Sequence, residues 1–191
     1  MAYTNHAVIR IAQAYHFAAS KHVNDRRKGK AAEPYLNHLT EVAELVALAT
    51  EGQDPDLIIA AVLHDTVEDT DTTPGELEQV FGAEVSALVA EVTDDKSLPK
   101  QLRKGLQIEH AAHASNRAQM IKMADKISNL RSLAASPSNG WSAERIVGYG
   151  SWAKRVVDGC RSASPDLATQ FDQTLADLAE GFASQDKPIG R

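Results

Sequence analysis

Apolar residues recur at helical spacing along nearly the whole chain, and almost no segment alternates with the period of two that a strand requires. Residues 5–22 carry one such stripe, formed by Val8, Ile11, Tyr15 and Ala18. Aromatic residues make up only 5% of the sequence while Ala and Leu are frequent, a mixture that favours helix over strand. The sequence therefore predicts an all-α protein.

A chain of 191 residues is long enough for one domain with a sizeable core. We find no internal repeat, low-complexity segment or linker, so residues 1–191 are predicted to form a single domain. The final stretch SQDKPIGR, residues 184–191, is predicted to be a frayed tail.

The single cysteine, Cys160, excludes an internal disulfide framework and favours a reducing compartment. No apolar run approaches the roughly 20 residues that a bilayer-spanning helix needs. The N-terminal residues lack the basic start and the long apolar stretch of a signal peptide. We therefore predict a cytoplasmic protein with no membrane partner.

The net charge of −6 argues against binding a nucleic-acid polymer, which requires a broad basic surface. Basic residues nevertheless cluster in two short segments, DRRKGK at 25–30 and DDKSLPKQLRK at 94–104. An acidic chain with two compact basic clusters is typical of a protein that binds a small anionic ligand.

The segment AAVLHDTVEDTDTT, residues 60–73, ends an apolar helix with His64 and Asp65. Adjacent helical residues diverge by about 100°, so the two side chains share a target only where the helix ends. A metal ion at the helix end would satisfy both, and it would offset the unfavourable carboxylate at that end. The alternative is an ordinary solvated helix end.

Two distant residues strengthen the metal hypothesis. His38 lies at the start of the second predicted helix, and Asp125 lies within an otherwise apolar helical face. Because an unpartnered buried Asp is costly, Asp125 either pairs with Lys122 or Lys126 or serves as a metal ligand. Two His and two Asp form a mixed nitrogen and oxygen set that suits Mn²⁺, Fe²⁺ or Zn²⁺.

The order His38, His64-Asp65, Asp125 resembles the HD metal-dependent phosphohydrolase superfamily. The segments RRKGKAAEPYLNH, AAVLHDTVEDTDTT, FGAEVSALVAEVTDDKSLPK, KMADKISNLR and GWSAERIVGYGSWA more narrowly resemble the hydrolase domain of RelA/SpoT proteins. In length and order they are similar to the stand-alone small alarmone hydrolases related to the metazoan SpoT homologue. One departure is Leu39, which stands where the family often has Pro directly after the first ligand His.

The resemblance implies a compact HD-domain helical bundle that hydrolyses the 3′-pyrophosphate of (p)ppGpp, giving pyrophosphate and GDP or GTP. It implies Mn²⁺ as the preferred cofactor, held by His38, His64, Asp65 and Asp125. Glu68 and Asp69 lie four residues after His64 and Asp65, on the same helical faces if the helix continues. We predict that Glu68 and Asp69 orient a water molecule and take its proton. Otherwise they are a solvated helix end.

The predicted substrate contacts are Arg27, Lys28, Lys100, Arg103, Asn129 and Tyr149. By resemblance, the first two contact the guanine and its surroundings, and Arg can also stack on a purine. Lys100 and Arg103, one helical turn apart, would neutralise the pyrophosphates. Asn129 would bond the ribose or a phosphate, and Tyr149 would reach the sugar or the 5′-phosphates. The alternatives are solvated basic residues and a core tyrosine.

Two other functions remain open from the sequence. The same metal site could remove the 2′-phosphate of NADPH, an activity associated with metazoan members of the family. A non-catalytic nucleotide sensor on the same scaffold would be expected to lack metal ligands or the Glu68-Asp69 pair, and both are present.

Overall fold

The computed structural model describes residues 3–185, in which α-helices account for the architecture and no strand is formed. The helices are α1 (Tyr3–Lys21), α2 (Leu36–Ala49), α3 (Pro55–Leu63), α4 (Thr66–Asp69), α5 (Pro74–Phe81), α6 (Ala83–Val92), α7 (Lys100–Ala111), α8 (Asn116–Ala135), α9 (Ala143–Asp158) and α10 (Pro165–Gln185). A short 3₁₀ turn at Arg161–Ala163 precedes α10. The predicted all-α class is confirmed.

Helices α3 and α8 form the centre of the bundle. Every residue of α3 from 57 to 63 is buried, which is typical of a helix that is apolar on all sides. Helix α8 packs against α2, α6, α9 and α10, and α2 in turn packs against α3. Because the predicted metal ligands lie on α2, on α8 and directly after α3, the site is built on the most buried elements.

Side-chain caps start several of the helices. The Asp54 carboxylate accepts a hydrogen bond from the backbone nitrogen of Leu57 at 3.0 Å, with Pro55 in the first helical position. Thr73 and Ser142 accept equivalent bonds at the starts of α5 and α9.

The stripe predicted for α1 is partly wrong. Val8 is 61% exposed, while Ala14 and Ala18 are fully buried. Helix α1 therefore docks on the bundle through its alanines, and its larger apolar residues Ile11 and Tyr15 are only half-buried. Small residues permit a close helix approach, which a count of large apolar side chains does not anticipate.

At the C-terminus, α10 continues through Ser184 to Gln185, so the first part of the predicted tail is helical. Residues 186–191 lie outside the described part of the chain. Across the described residues, no helix has both the length and the apolarity needed to cross a membrane.

The loop between α1 and α2, residues 22–35, is held against the loop that follows α8. The backbone nitrogen of Ala31 donates to Ser136 Oγ at 3.0 Å, and that of Asn139 donates to the Lys28 carbonyl at 3.3 Å. Gly29 lies at the closest approach, where an added Cβ would meet the Ser136 carbonyl oxygen at 2.4 Å. A glycine is therefore required at this position for the two backbones to touch.

We expect Gly29→Ala to lower the free energy of unfolding by about 1–3 kcal/mol, because the two loops must separate to admit the methyl group. Gly105→Ala is the matched control, since nothing lies within 4 Å of a Cβ at that exposed position in α7. The control should raise stability by about 0.5–1 kcal/mol through helix propensity. Urea unfolding of both variants measures the difference, and equal stabilities would contradict the contact.

Candidate active site

The site begins at a break between two helices. Helix α3 ends at Leu63, and the separate short helix α4 starts at Thr66, whose Oγ1 donates to the Leu63 carbonyl at 2.6 Å. His64 and Asp65 occupy the junction. The helix therefore ends where the sequence places His64 and Asp65, and it does not continue through Glu68, because the Thr66 side chain takes a carbonyl at the end of α3.

His38, His64 and Asp65 converge below this break. One ligand atom from each lies within 4.8 Å of the other two, and both histidines are buried. His64 Nε2 lies 3.1 Å from Asp65 Oδ2, and His38 Nε2 lies 3.5 Å from the same oxygen. The trio supplies two nitrogens and one oxygen to a common point.

Asp125, on α8, contacts His38 but is not one of the three residues whose ligand atoms lie within 4.8 Å of one another. Its Oδ1 lies 3.3 Å from His38 Nε2, and its Oδ2 accepts from Lys126 Nζ at 2.6 Å. The ion pair with Lys126 that the sequence offered as an alternative is thus present together with the contact to His38. Asp125 keeps one oxygen facing the histidine cluster.

The hydrogen bond that His64 makes defines its tautomer. His64 Nδ1 lies 2.8 Å from the Ala61 carbonyl, which can only accept, so this nitrogen carries the proton. Its Nε2 is buried and has no hydrogen-bond partner among the described residues, despite its proximity to Asp65. A buried Nε2 beside carboxylates, with Nδ1 fixed as the donor to a backbone carbonyl, is the arrangement that a metal-binding histidine presents once Nε2 is deprotonated.

The charges of the Asp65 and Asp125 carboxylates favour the binding of a cation at the cluster. Burial works in the opposite direction, but His64 holds the pKa of Asp65 well below its usual range. Lys126 does the same for the pKa of Asp125, again against burial. Although burial opposes protonation, Asp65 raises the pKa of His64 to about 9. Two ionised carboxylates therefore lie in a buried site.

Glu68 and Asp69 lie on α4 beside this cluster. Burial, and then the charge of Asp65, raise the pKa of Glu68 to about 7. Its Oε2 accepts from the backbone nitrogen of Asp94 at 3.2 Å. Asp69 is more exposed and pairs with Lys96. Both residues line the cavity that is also lined by His64, Asp65 and Asp125.

Two adjoining cavities meet at the site. The first, about 390 Å³, lies over the cluster, and its lining includes His64, Asp65, Glu68, Asp69, Lys96, Arg103, Lys122 and Asp125. The second, about 350 Å³, is lined by residues that include Arg27, Lys28, Lys100, Arg103, Lys104, Asn129, Trp141, Tyr149 and Trp152. Lys28, Tyr35, Glu68, Arg103, Gln107 and Asn129 line both. Every predicted substrate contact thus borders the second cavity.

Asn129 connects the two cavities. Its amide nitrogen donates to Asp125 Oδ1 at 2.5 Å, and its oxygen accepts from Arg27 Nη2 at 2.8 Å. The Arg27 guanidinium also lies 5.7 Å from the centre of the Tyr35 ring. Arg27, which is predicted to contact the nucleotide, is therefore linked to the predicted metal ligand Asp125 through the side-chain amide of Asn129.

Aromatic rings form one wall of the second cavity. Tyr149 packs between Trp141 and Trp152, with ring centres 6.0 Å and 5.3 Å away. Lys104 Nζ lies 4.5 Å from the Trp152 ring centre. A wall of rings and cations suits a flat, anionic ligand such as a nucleotide.

Several residues that shape the site were not identified from the sequence. Tyr35 Oη donates to Asp65 Oδ2 at 2.6 Å, and Ser128 lies 2.8 Å from His38 Nδ1. Tyr35 is three residues before His38, and Ser128 is three residues after Asp125. Helical spacing from the ligands is therefore the signal that could have identified them.

Comparison with known proteins agrees with this geometry. A model of the HD domain family matches residues 14–147. The guanosine-3′,5′-bis(diphosphate) 3′-pyrophosphohydrolase MESH1 of Danio rerio is 48% identical over 161 residues, covering 84% of this chain and 89% of that protein. The Homo sapiens protein of the same name is 48% identical over 155 residues, covering 81% and 87%.

A solved structure of a metazoan ortholog of SpoT, described as hydrolysing ppGpp, superposes with a TM-score of 0.84. It is 44% identical in sequence and covers 87% of this chain and 94% of that one. The similarity therefore extends over nearly the full length of each relative.

Proposed function

The chain belongs to the HD domain family, and on that premise we propose that it is a metal-dependent guanosine-3′,5′-bis(diphosphate) 3′-pyrophosphohydrolase. It cleaves ppGpp to GDP and pyrophosphate, and pppGpp to GTP and pyrophosphate. The observation that supports this most directly is the buried cluster of His38, His64 and Asp65 beside the carboxylate of Glu68.

The donor set fits a divalent cation. His38, His64, Asp65 and Asp125 would hold it, since Asp65 lies beside the Nε2 atoms of both histidines and Asp125 lies beside that of His38. Mixed imidazole and carboxylate ligands suit Mn²⁺, which we propose as the cofactor. When bound, such an ion lowers the pKa of a water molecule and polarises a phosphoryl oxygen.

Glu68 and Asp69 carry out the proton transfer. With a pKa raised to about 7, Glu68 can accept a proton near neutral pH and release it again. The water oxygen forms a bond to the phosphorus that is attached to the ribose 3′-oxygen. The bond between that phosphorus and the 3′-oxygen then breaks. The proton taken from water is matched by the one that the 3′-oxygen gains, so pyrophosphate and a 3′-hydroxyl result.

The second cavity would hold the nucleotide. Arg27 and Lys28 would contact the base, and Tyr149 would reach the sugar or the 5′-phosphates. Lys100 and Arg103 would neutralise the pyrophosphates, with Arg103 located where both cavities meet. Asn129 would bond the ribose or a phosphate while it keeps its contact with Asp125.

The released product distinguishes this pyrophosphohydrolase activity from other reactions that the same site could catalyse. Purified protein with ppGpp and Mn²⁺ is expected to release pyrophosphate without free phosphate, and EDTA should stop the release. Free phosphate in place of pyrophosphate would instead indicate a phosphatase. NADPH, tested in parallel at equal concentration, should be the poorer substrate by kcat/KM, and the reverse order would overturn the assignment.

The cell compartment that we propose is the cytoplasm, where a free thiol is stable. Cys160 is buried and unpaired, and its Sγ contacts the Val156 carbonyl at 3.5 Å. The partner that the site accommodates is a small nucleotide, and the net charge of −6 disfavours a nucleic-acid polymer.

A further inference from the structure

The imidazole of His38 has a partner on each nitrogen. Its Nδ1 lies 2.8 Å from Ser128 Oγ. Its Nε2 faces the carboxylates of Asp65 and Asp125 at 3.5 Å and 3.3 Å. Which nitrogen carries the proton decides whether Nε2 can bind a metal ion.

The second hydrogen bond of Ser128 determines which group donates in its contact with His38 Nδ1. Its Oγ donates to Glu41 Oε2 at 2.6 Å, and a hydroxyl has only one proton to give. Ser128 must therefore accept from His38, so the Nδ1 of His38 carries the proton. Nε2 is left with its lone pair directed at the carboxylates of Asp65 and Asp125, an arrangement that a cation stabilises.

Glu41 is itself held in place. Its Oε1 accepts from Arg131 Nη1 at 3.0 Å, so both carboxylate oxygens have a donor. We call this chain of hydrogen bonds, formed by Arg131, Glu41, Ser128 and His38, the His38 relay. It runs from a half-exposed ion pair to a histidine side chain that is 1% exposed.

The relay also joins α2 and α8, two of the elements that carry proposed ligands. Glu41 lies three residues after His38 on α2, and Ser128 lies three residues after Asp125 on α8. The hydrogen bond between Glu41 and Ser128 therefore fixes the two ligand faces relative to one another.

We propose that Ser128 and Glu41 are positioning residues that hold His38 in the tautomer and orientation needed to bind the metal ion. The inference rests on the metal site of the proposed function. His64 achieves the same result with the backbone carbonyl of Ala61, whereas His38 depends on side chains. The affinity of His38 for the metal ion therefore depends on the side chains of Ser128 and Glu41.

Binding of Mn²⁺ alone, measured by calorimetry and by the electron paramagnetic resonance of the free ion, tests the relay without any substrate. Ser128→Ala is expected to raise the Kd for Mn²⁺ by about 10–100-fold, the usual effect of losing the partner of a ligand histidine. Glu41→Ala should raise it by a smaller factor, because Ser128 can still accept from His38.

The double variant Ser128→Ala/Glu41→Ala separates positioning from packing. Since Glu41 acts through Ser128, the double variant should bind Mn²⁺ no more weakly than Ser128→Ala. The melting temperature of each metal-free variant is measured beside the Kd. A merely structural role would lower that temperature and leave the Kd unchanged.

Matched controls come from the same residue types elsewhere. Ser86→Ala removes a buried hydroxyl that donates to the Pro74 carbonyl, and Glu44→Gln alters an exposed carboxylate on α2. Both should bind Mn²⁺ like the wild type.

Two results would overturn the relay: a wild-type Kd in Ser128→Ala, or losses from the two single variants that add in the double variant. A wild-type protein that binds no Mn²⁺ would instead overturn the metal site itself.

Discussion

Replacing Glu68 with glutamine is expected to lower kcat for ppGpp hydrolysis by about 10²–10⁴-fold, the contribution usual for a positioned general base. Glutamine keeps the shape of the side chain and can still accept from the Asp94 backbone nitrogen. It cannot take a proton from water. Because Glu68 is not among the proposed ligands, KM for ppGpp and the Kd for Mn²⁺ should change little.

Asp69→Asn should act in the same direction, and the loss in the double variant should be less than the product of the two single losses if the pair works as a unit. Asp71→Asn is the matched control. Its carboxylate is 87% exposed and pairs with Lys21, away from both cavities. A wild-type kcat in Glu68→Gln, measured as the initial rate of pyrophosphate release, would remove Glu68 from the mechanism.

Loss of the metal site is expected to be at least as severe. EDTA treatment, or His64→Ala, should lower kcat/KM by about 10³-fold or more, because a bound divalent ion supplies several kcal/mol of transition-state stabilisation. Added Mn²⁺ should restore the treated wild type but not His64→Ala. Asp125→Asn should behave like His64→Ala if Asp125 is a ligand.

Thermal unfolding gives a second measurement that is independent of turnover. Mn²⁺ at 100 times its Kd should stabilise the wild type by about 2.7 kcal/mol, seen as a rise in Tm. His64→Ala should show no comparable rise, whereas His113→Ala, at an exposed position after α7, should respond like the wild type. Full activity in EDTA would contradict the metal-dependent reaction.

The helices could be predicted from the sequence because local signals and burial agree. Asp54, Thr73 and Ser142 stand where caps are required, and the segments after them bury apolar stripes. The docking face of α1 could be predicted only in part, because Val8 of the predicted stripe is exposed whereas Ala18 of that stripe makes the contact together with Ala14. Which face docks depends on the neighbouring helix as well as on hydrophobicity.

The residues of the candidate site could also be predicted only in part from the sequence. His64, Asp65 and Asp125 stand out as polar residues in apolar surroundings, so burial itself signals them. Glu41 and Ser128 give no such signal, since their bond joins residues 87 positions apart and each is ordinary in its own helix. The break after Leu63 agrees with the helix end predicted at His64 and Asp65, whereas the separate short helix α4 that follows was not predicted.

That break has a consequence for redesign. Helix α4 has only four residues and its own start, so the direction of Glu68 and Asp69 is not dictated by the turn of α3. The direction of these two carboxylates instead follows from α4 itself, which is joined to Asp65 by the hydrogen bond from the Asp69 backbone nitrogen to the Asp65 carbonyl at 2.8 Å. We therefore expect other acid–base pairs at positions 68 and 69 to leave the ligands in place, provided that the anchoring hydroxyl of Thr66 is retained.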